Sequence, residues 1–199
     1  MVVVERGDVL GEDYRRRITE VYVRSFAQDF VAFSRDTDKL ADAFERMLLL
    51  DRFYIALVDG EPAGLASLTE GDQKLFAPRW RELRRHLGLV RGLLSYLVIR
   101  SWFMSASSDA RPGRAEIGFV ATEPAYQGQG VATALLRHLL ARPGYREFVL
   151  EDIKDTNEVA LGLYAKLGFT VYERRKVRFA RRVGFTELLS MRLVGEPPA

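Results

Sequence analysis

The stretch Glu116-Ile117-Gly118-Phe119-Val120-Ala121-Thr122-Glu123-Pro124-Ala125-Tyr126-Gln127-Gly128-Gln129-Gly130-Val131-Ala132 decides how this chain is read. Its first seven residues predict a strand ending at Thr122, and Glu123-Pro124-Ala125-Tyr126 predicts a turn. A helix is predicted from about Gly130 to just before Arg142-Pro143-Gly144. Helix N-termini attract anions, because their first N–H groups lack intrahelical partners and the backbone dipoles point positive there. Gly128 and Gly130 remove side chains where an anion would approach the backbone, and Ala132 keeps the next turn narrow. A diphosphate fits such an end. Two other readings compete: a glycine-rich turn that merely joins strand to helix, and a dinucleotide fingerprint. The fingerprint fails at its last position, Thr133, and the strand before it does not begin a βαβ series.

Working outward, residues 148–153 predict another strand, and 157–167 a helix that stops at Gly168, with Phe169 supplying the apolar contact that follows such caps. Residues 170–175 and 185–193 predict two closing strands. Toward the N-terminus, 2–5 predicts a first strand and 13–30 a helix with Ile18, Val21, Tyr22 and Phe26 on one face. A second helix follows Asp36, capped by Thr37 or Asp38. Residues 53–58 and 63–68 flank Asp59-Gly60-Glu61-Pro62 as a hairpin. The stretch 73–108 is helical in character, interrupted at Gly88 and Gly92, and closes in the turn-prone Ser107-Ser108-Asp109-Ala110-Arg111-Pro112-Gly113.

Composition excludes several kinds of chemistry. The chain has 199 residues, no cysteine and two histidines, His86 and His138, so disulfides, thiolate sites and cysteine nucleophiles are out and a metal site has little to build on. No metal is expected. The start, Met-Val-Val-Val-Glu-Arg, lacks the pattern of a secretory signal, which predicts a cytoplasmic location. The most apolar region, 87–104, is broken by Arg91 and Arg100, so no membrane span is expected. The net charge is +3, with basic clusters at 15–17, 79–85 and 174–182. These read as solvated faces; beside 174–182 only Tyr172 and Phe179 supply aromatics, and no nucleic-acid partner is expected.

The segment 116–132 resembles motif A of the GNAT superfamily of N-acetyltransferases, whose ending (Arg or Gln)-x-x-Gly-x-(Gly or Ala) is met by Gln127, Gly130 and Ala132. Asn157-Glu158-Val159-Ala160-Leu161-Gly162-Leu163-Tyr164-Ala165-Lys166-Leu167-Gly168-Phe169 looks like the family's motif B. The resemblance implies an α/β fold: a central mixed sheet of about seven strands, splayed between the fourth and fifth, with helices on both faces and a helical insertion between the third and fourth. Residues 1–195 are then expected to be one acetyltransferase domain carrying the insertion 73–112, with 196–199 as a tail.

For function, the resemblance implies transfer of an acetyl group from acetyl-CoA to a primary amine (a small molecule, a peptide N-terminus or a lysine) within a ternary complex. Val120, Ala121 and Thr122 would meet the pantetheine arm, and the turn and helix start of Gln127, Gly128, Gln129, Gly130, Val131, Ala132 and Thr133 would hold the pyrophosphate. Asn157 would reach the arm, though its type also suits a plain helix cap. Tyr164 would protonate the leaving thiolate, or else be a core tyrosine on the stripe Ala160, Leu163, Tyr164 and Leu167. Glu116 matches the base of the histone-acetylating branch, or is a solvated strand-end carboxylate; Asp152 matches the base of some peptide-acetylating members.

The insertion departs from the minimal pattern. Its apolar residues Leu87, Leu89, Val90, Leu93, Leu94, Leu97, Trp102 and Phe103 suit a cover for the acceptor cleft, a homodimer interface or a membrane surface. A non-catalytic acyl-CoA-binding sensor on the same fold is the rival reading of the whole chain.

Overall fold

A computed structural model of the chain describes residues 1–103, 111–177 and 184–195. The side chains of Trp102 and Phe103, the expected turn over 107–110, the part of the basic cluster at 178–182 and the tail 196–199 lie outside the described residues. Seven strands form a mixed sheet in the order β1-β2-β3-β4-β5-β7-β6. They are β1 (Val2–Arg6), β2 (Phe53–Val58), β3 (Glu61–Glu70), β4 (Arg114–Thr122), β5 (Glu147–Lys154), β6 (Thr170–Lys176) and β7 (Glu187–Val194). Every neighbouring pair is antiparallel except β4 and β5.

Side-chain alternation divides the core in two. Along β2, Phe53, Ile55 and Leu57 join one apolar cluster while Tyr54 and Ala56 join the other. The first cluster is closed by α1 (Glu12–Ser25), α2 (Thr37–Phe44), α3 (Trp80–Leu87) and α4 (Leu89–Phe103); the second by α5 (Val131–Leu140) and α6 (Glu158–Lys166). Asp59 and Gly60, at φ 51° and 81°, make the left-handed pair that a tight hairpin between β2 and β3 demands.

Three local expectations change. α1 ends at Ser25 rather than near residue 30, because Phe26, Phe30 and Phe33 turn inward. The rings of Phe26 and Phe30 lie 5.3 and 5.7 Å from that of Tyr22, and Phe30 meets Phe44 edge-on at 5.1 Å; this aromatic packing outweighs helical periodicity. α2 is capped by Asp36, whose carboxylate accepts from the Asp38 and Lys39 N–H groups at 3.1 Å, and not by Thr37 or Asp38. Gly88 does break the insertion, at φ 80°, but Gly92 lies inside α4. A Cβ there would meet the Leu83 carbonyl at 2.8 Å, so this glycine brings α4 against α3 instead of ending a helix.

The sheet opens where β4 leaves β5. Only Arg114, Ala115 and Glu116 pair across, with Glu147, Phe148 and Val149. Beyond them β4 bulges against β3 and β5 bulges against β7. Each bulge carries a non-glycine residue at positive φ, Phe119 at 49° and Asp152 at 55°. Bulges bend and overtwist a strand, and two of them beside one seam drive its strands apart.

Candidate functional site

The turn into α5 is built for an anion. Gly128 and Gly130 have φ 73° and 80°, and Gly130, the N-cap of α5, sits in the left-handed region with ψ 6°. No side chain caps this N-terminus, so its first N–H groups point outward without a competitor. Residues 127–130 are exposed, and a Cβ at either glycine would meet nothing within 4 Å. The turn is held from behind: Gln127 Nε2 donates to the Thr122 carbonyl at 3.3 Å and Gln129 Nε2 to the Ala125 carbonyl at 2.9 Å. Val131 is buried, while Ala132 and Thr133 are half-buried beside the opening. A helix N-terminus with open space over two glycines fits a pyrophosphate.

The gap between β4 and β5 runs into this turn. Val120, Ala121 and Thr122 follow the last residue of β4 paired with β5, and on the other side Ala121 and Thr122 pair with Leu65 and Gly64. Their gap-facing edge is thus an unpaired strand edge, able to exchange hydrogen bonds with an extended ligand. Asn157 is the N-cap of α6, its Oδ1 accepting from the Ala160 N–H at 3.3 Å. The cap is the role seen.

Glu116 stands at the fork itself. Ala115 and Ile117 point into the α5 cluster, so alternation turns Glu116 to the opposite face, covered by α1 to α4. Half-buried there, its carboxyl is pushed up to about 7, first by burial, then by the charges of Glu151 and Asp152, with Arg114 opposing. Asp152 differs in every respect: its side chain is 63% exposed and its Oδ1 accepts from Arg175 Nη2 at 2.7 Å. Tyr164, 6% exposed, sits in the second cluster with its ring 6.1 Å from Phe169. Burial pushes its phenol up to about 12.

Sequence reasoning missed the polar floor around Glu116. Thr69 lies opposite Glu116 and Ser67 opposite Gly118. Both hydroxyl residues are buried, and the Ser67 hydroxyl has no hydrogen-bond partner. The alternation Leu65, Ser67, Thr69 within an otherwise apolar strand was the available signal. The nearby Tyr22 hydroxyl is likewise fully buried and unpartnered, and its ring lies 5.3 Å from that of Phe119. On the adjoining strands Arg114 donates to Glu151 at 3.1 Å and to Tyr172 at 3.3 Å, and Tyr172 donates to Glu151 at 3.1 Å. That network joins β4, β5 and β6 and leaves no trace in any one segment. Among the described residues, no three His, Cys, Asp or Glu side chains group as a metal site, and no helix is long and apolar enough to cross a membrane.

Comparison with known proteins bears on this geometry. The profile of the acetyltransferase (GNAT) family matches residues 15–169. N-alpha-acetyltransferase RimI of Mycobacterium tuberculosis is 35% identical over 88 residues, 43% of this chain; the match spans about half, 53%, of that relative's length. An N-acetyltransferase from Staphylococcus aureus Mu50 superposes with a TM-score of 0.65 at 19% identity, over 96% of this chain and 100% of its own. The yncA protein from Salmonella typhimurium, whose structure holds its cofactor acetyl-CoA, superposes with a TM-score of 0.57 at 20% identity, over 100% of this chain and 96% of its own. At such identities the structural likenesses speak for the fold.

Proposed function

The chain belongs to the acetyltransferase (GNAT) family, and from that premise we propose that it is an N-acetyltransferase moving an acetyl group from acetyl-CoA to a primary amine, with residues 1–195 as its catalytic domain. The observation that carries the reading is Glu116: a half-buried carboxyl with a pKa raised to about 7, at the fork of a sheet that opens toward an uncapped, glycine-led helix N-terminus.

When bound, acetyl-CoA supplies an acyl thioester. The N–H groups of the turn and first helical positions, Gly128 to Thr133, would hold its pyrophosphate, and the free edge of Val120, Ala121 and Thr122 would align its extended arm. Gln127 and Asn157 act one step back, bracing the turn and capping α6. Glu116, ionised above about pH 7, accepts a proton from the amine, directly or through water. Ser67 and Thr69 provide hydroxyls on the same face. Tyr164, protonated at any working pH, would offer its O–H to the sulfur of a bound thioester. Asp152, committed to Arg175, is set aside as the base.

The raised carboxyl also favours one acceptor class. A base near 7 is almost matched to an α-amino group, at about 7.7 to 8.0, and poorly matched to lysine, at about 10.4. We therefore favour a peptide N-terminus, the class named for the Mycobacterium tuberculosis relative. A cytoplasmic location suits a chain without cysteine.

Incubation with isotopically labelled acetyl-CoA and parallel panels of free α-amines, peptides and lysine side chains tests this. Label on peptide N-termini, lost in Glu116→Gln, is the expected result. Tight acetyl-CoA binding with no labelled acceptor in any panel would instead make the protein an acyl-CoA sensor.

A further inference from the structure

α4 is built inside out. It turns Gly92, Ser95 and Ile99 toward the protein, all buried, and its leucines and Val90 away. Leu89, Val90, Leu93, Leu94 and Leu97 are between 47 and 80% exposed. At about 100° per residue, Val90, Leu94 and Leu97 fall in one outward stripe with Leu93 beside it, and Arg91 and Arg100 lie on its two borders. The inward surface is small because it must be: Gly92 abuts the Leu83 carbonyl, and the Ser95 hydroxyl turns back to the Arg91 carbonyl at 2.8 Å.

The exposed charges of the α3–α4 pair are also of one sign. Arg79, the N-cap of α3, and Arg81, Arg84, Arg85, Arg91 and Arg100 on α3 and α4 are exposed, and among the described residues none pairs with a carboxylate. The one acid from residue 73 to residue 103, Glu82, faces His86 at 3.6 Å. Elsewhere on the same side of the molecule arginines are matched, as Arg16 is with Glu20 and Asp42. A solvated helical face normally mixes signs and exposes few leucines.

We propose that the α3–α4 pair docks this protein on an anionic lipid surface, the aliphatic stripe of α4 sinking to the headgroup boundary while the arginines meet lipid phosphates. A helix that lies in an interface needs an apolar face bordered by long cationic side chains, whose stems stay with the apolar layer while their heads reach out. α4 has that cross-section, and among the described residues no helix is long and apolar enough to cross a membrane. Charge selects the partner. A second copy meeting this face across a two-fold axis would set the same unpaired arginines against each other. A nucleic acid would satisfy the arginines and leave five aliphatic side chains in water. An anionic membrane accepts both components at once. The docking does not depend on the acetyl-transfer reading and stands or falls separately.

Flotation of the full chain with vesicles tests the proposal, one set of phosphatidylcholine alone and one mixed with phosphatidylglycerol. Binding to the mixed vesicles at least about tenfold tighter than to the neutral ones, and weaker as salt is raised, is expected. Leu94→Ser combined with Leu97→Ser, and separately Arg84→Gln combined with Arg85→Gln, should each reduce that binding about tenfold or more while acetyl-CoA affinity and the thermal midpoint stay unchanged. No flotation, or equal affinity for both vesicle types, overturns the proposal. So does a dimer in light scattering that the leucine changes dissociate, or binding to duplex DNA that they leave intact.

Discussion

Glu116 and Val149 form the last paired rung of the parallel seam between β4 and β5; past it, β4 follows β3 and β5 follows β7. The carboxyl of Glu116 therefore sits where a continuous sheet becomes a cleft, close enough to the core to be desolvated. Its neighbours sharpen the effect, since Glu151 and Asp152 repel its charge more than Arg114 compensates.

That position makes folding stability depend on pH. Folded Glu116 keeps its proton up to about pH 7, while the unfolded chain releases it near 4.5. Between these values the folded state binds more protons, so stability falls as pH rises from about 4.5 to about 7 and is level above. The whole effect is at most about 3 kcal/mol. Glu116→Gln is expected to match the parent protein near pH 4 and to exceed it at pH 8, as read by urea unfolding at both values. Acetylation should move the opposite way: kcat/KM of the parent rises through about pH 7, and the variant loses on the order of 10² to 10⁴ in rate. Identical unfolding curves at both pH values would mean the carboxyl is solvated and is not the base.

In the proposed reaction Tyr164 would act as a hydrogen-bond donor rather than as an acid. With its phenol near 12 and a thiol near 8.5, outright transfer to a thiolate is uphill by about 5 kcal/mol. Tyr164→Phe should lower kcat by on the order of 10²-fold, with acetyl-CoA affinity within about twofold of the parent. The pH–rate profile should keep its limb near pH 7 in the variant, because Glu116 and not Tyr164 titrates there. An unchanged kcat removes the phenol from the reaction.

Gly130 separates strain from ligand contact. Gly130→Ala places a side chain in the left-handed region, at a cost of about 1 to 2 kcal/mol in stability. Gly11→Ala, at the N-cap of α1 with φ 85°, ψ 173° and equally open surroundings, carries at least as much strain away from the cleft, since that backbone region is open essentially to glycine alone. Calorimetric titration is expected to show acetyl-CoA affinity down by about tenfold or more in the Gly130 variant and unaltered in the Gly11 variant. Equal losses in both would assign the glycine a structural role only.

Tyr22 holds a hydroxyl that the fold leaves unpaired among the rings of Phe26, Phe30, Phe53, Phe76 and Phe119. Burial raises its phenol well above the ordinary value, so it stays neutral. Removing an unpaired buried hydroxyl relieves a desolvation penalty, and Tyr22→Phe should raise stability by about 1 kcal/mol in thermal unfolding. A loss of stability would reveal a partner for the hydroxyl.

What the sequence by itself determined is what local chemistry dictates. Asp59-Gly60 specified a hairpin, Gly128 and Gly130 an approach to a helix N-terminus free of side chains, and the order of apolar runs the order of strands and helices, because each depends on residues adjacent along the chain. The Asn157 reading was left open between cap and ligand contact; its Oδ1 caps α6 through the Ala160 N–H, and its side-chain NH2 is not engaged by that bond. Only the tertiary structure separated Glu116 from Asp152. Both are carboxylates on strands beside the cleft, and what distinguishes them is the burial of one and the Arg175 partner of the other, neither of which lies nearby in sequence. It also decided that residues 26–33 leave the helix for an aromatic core, and that α4 points its leucines outward. Periodicity can count the faces of a helix, but which face meets the protein depends on the approach of another segment, here the close packing of Gly92 against Leu83.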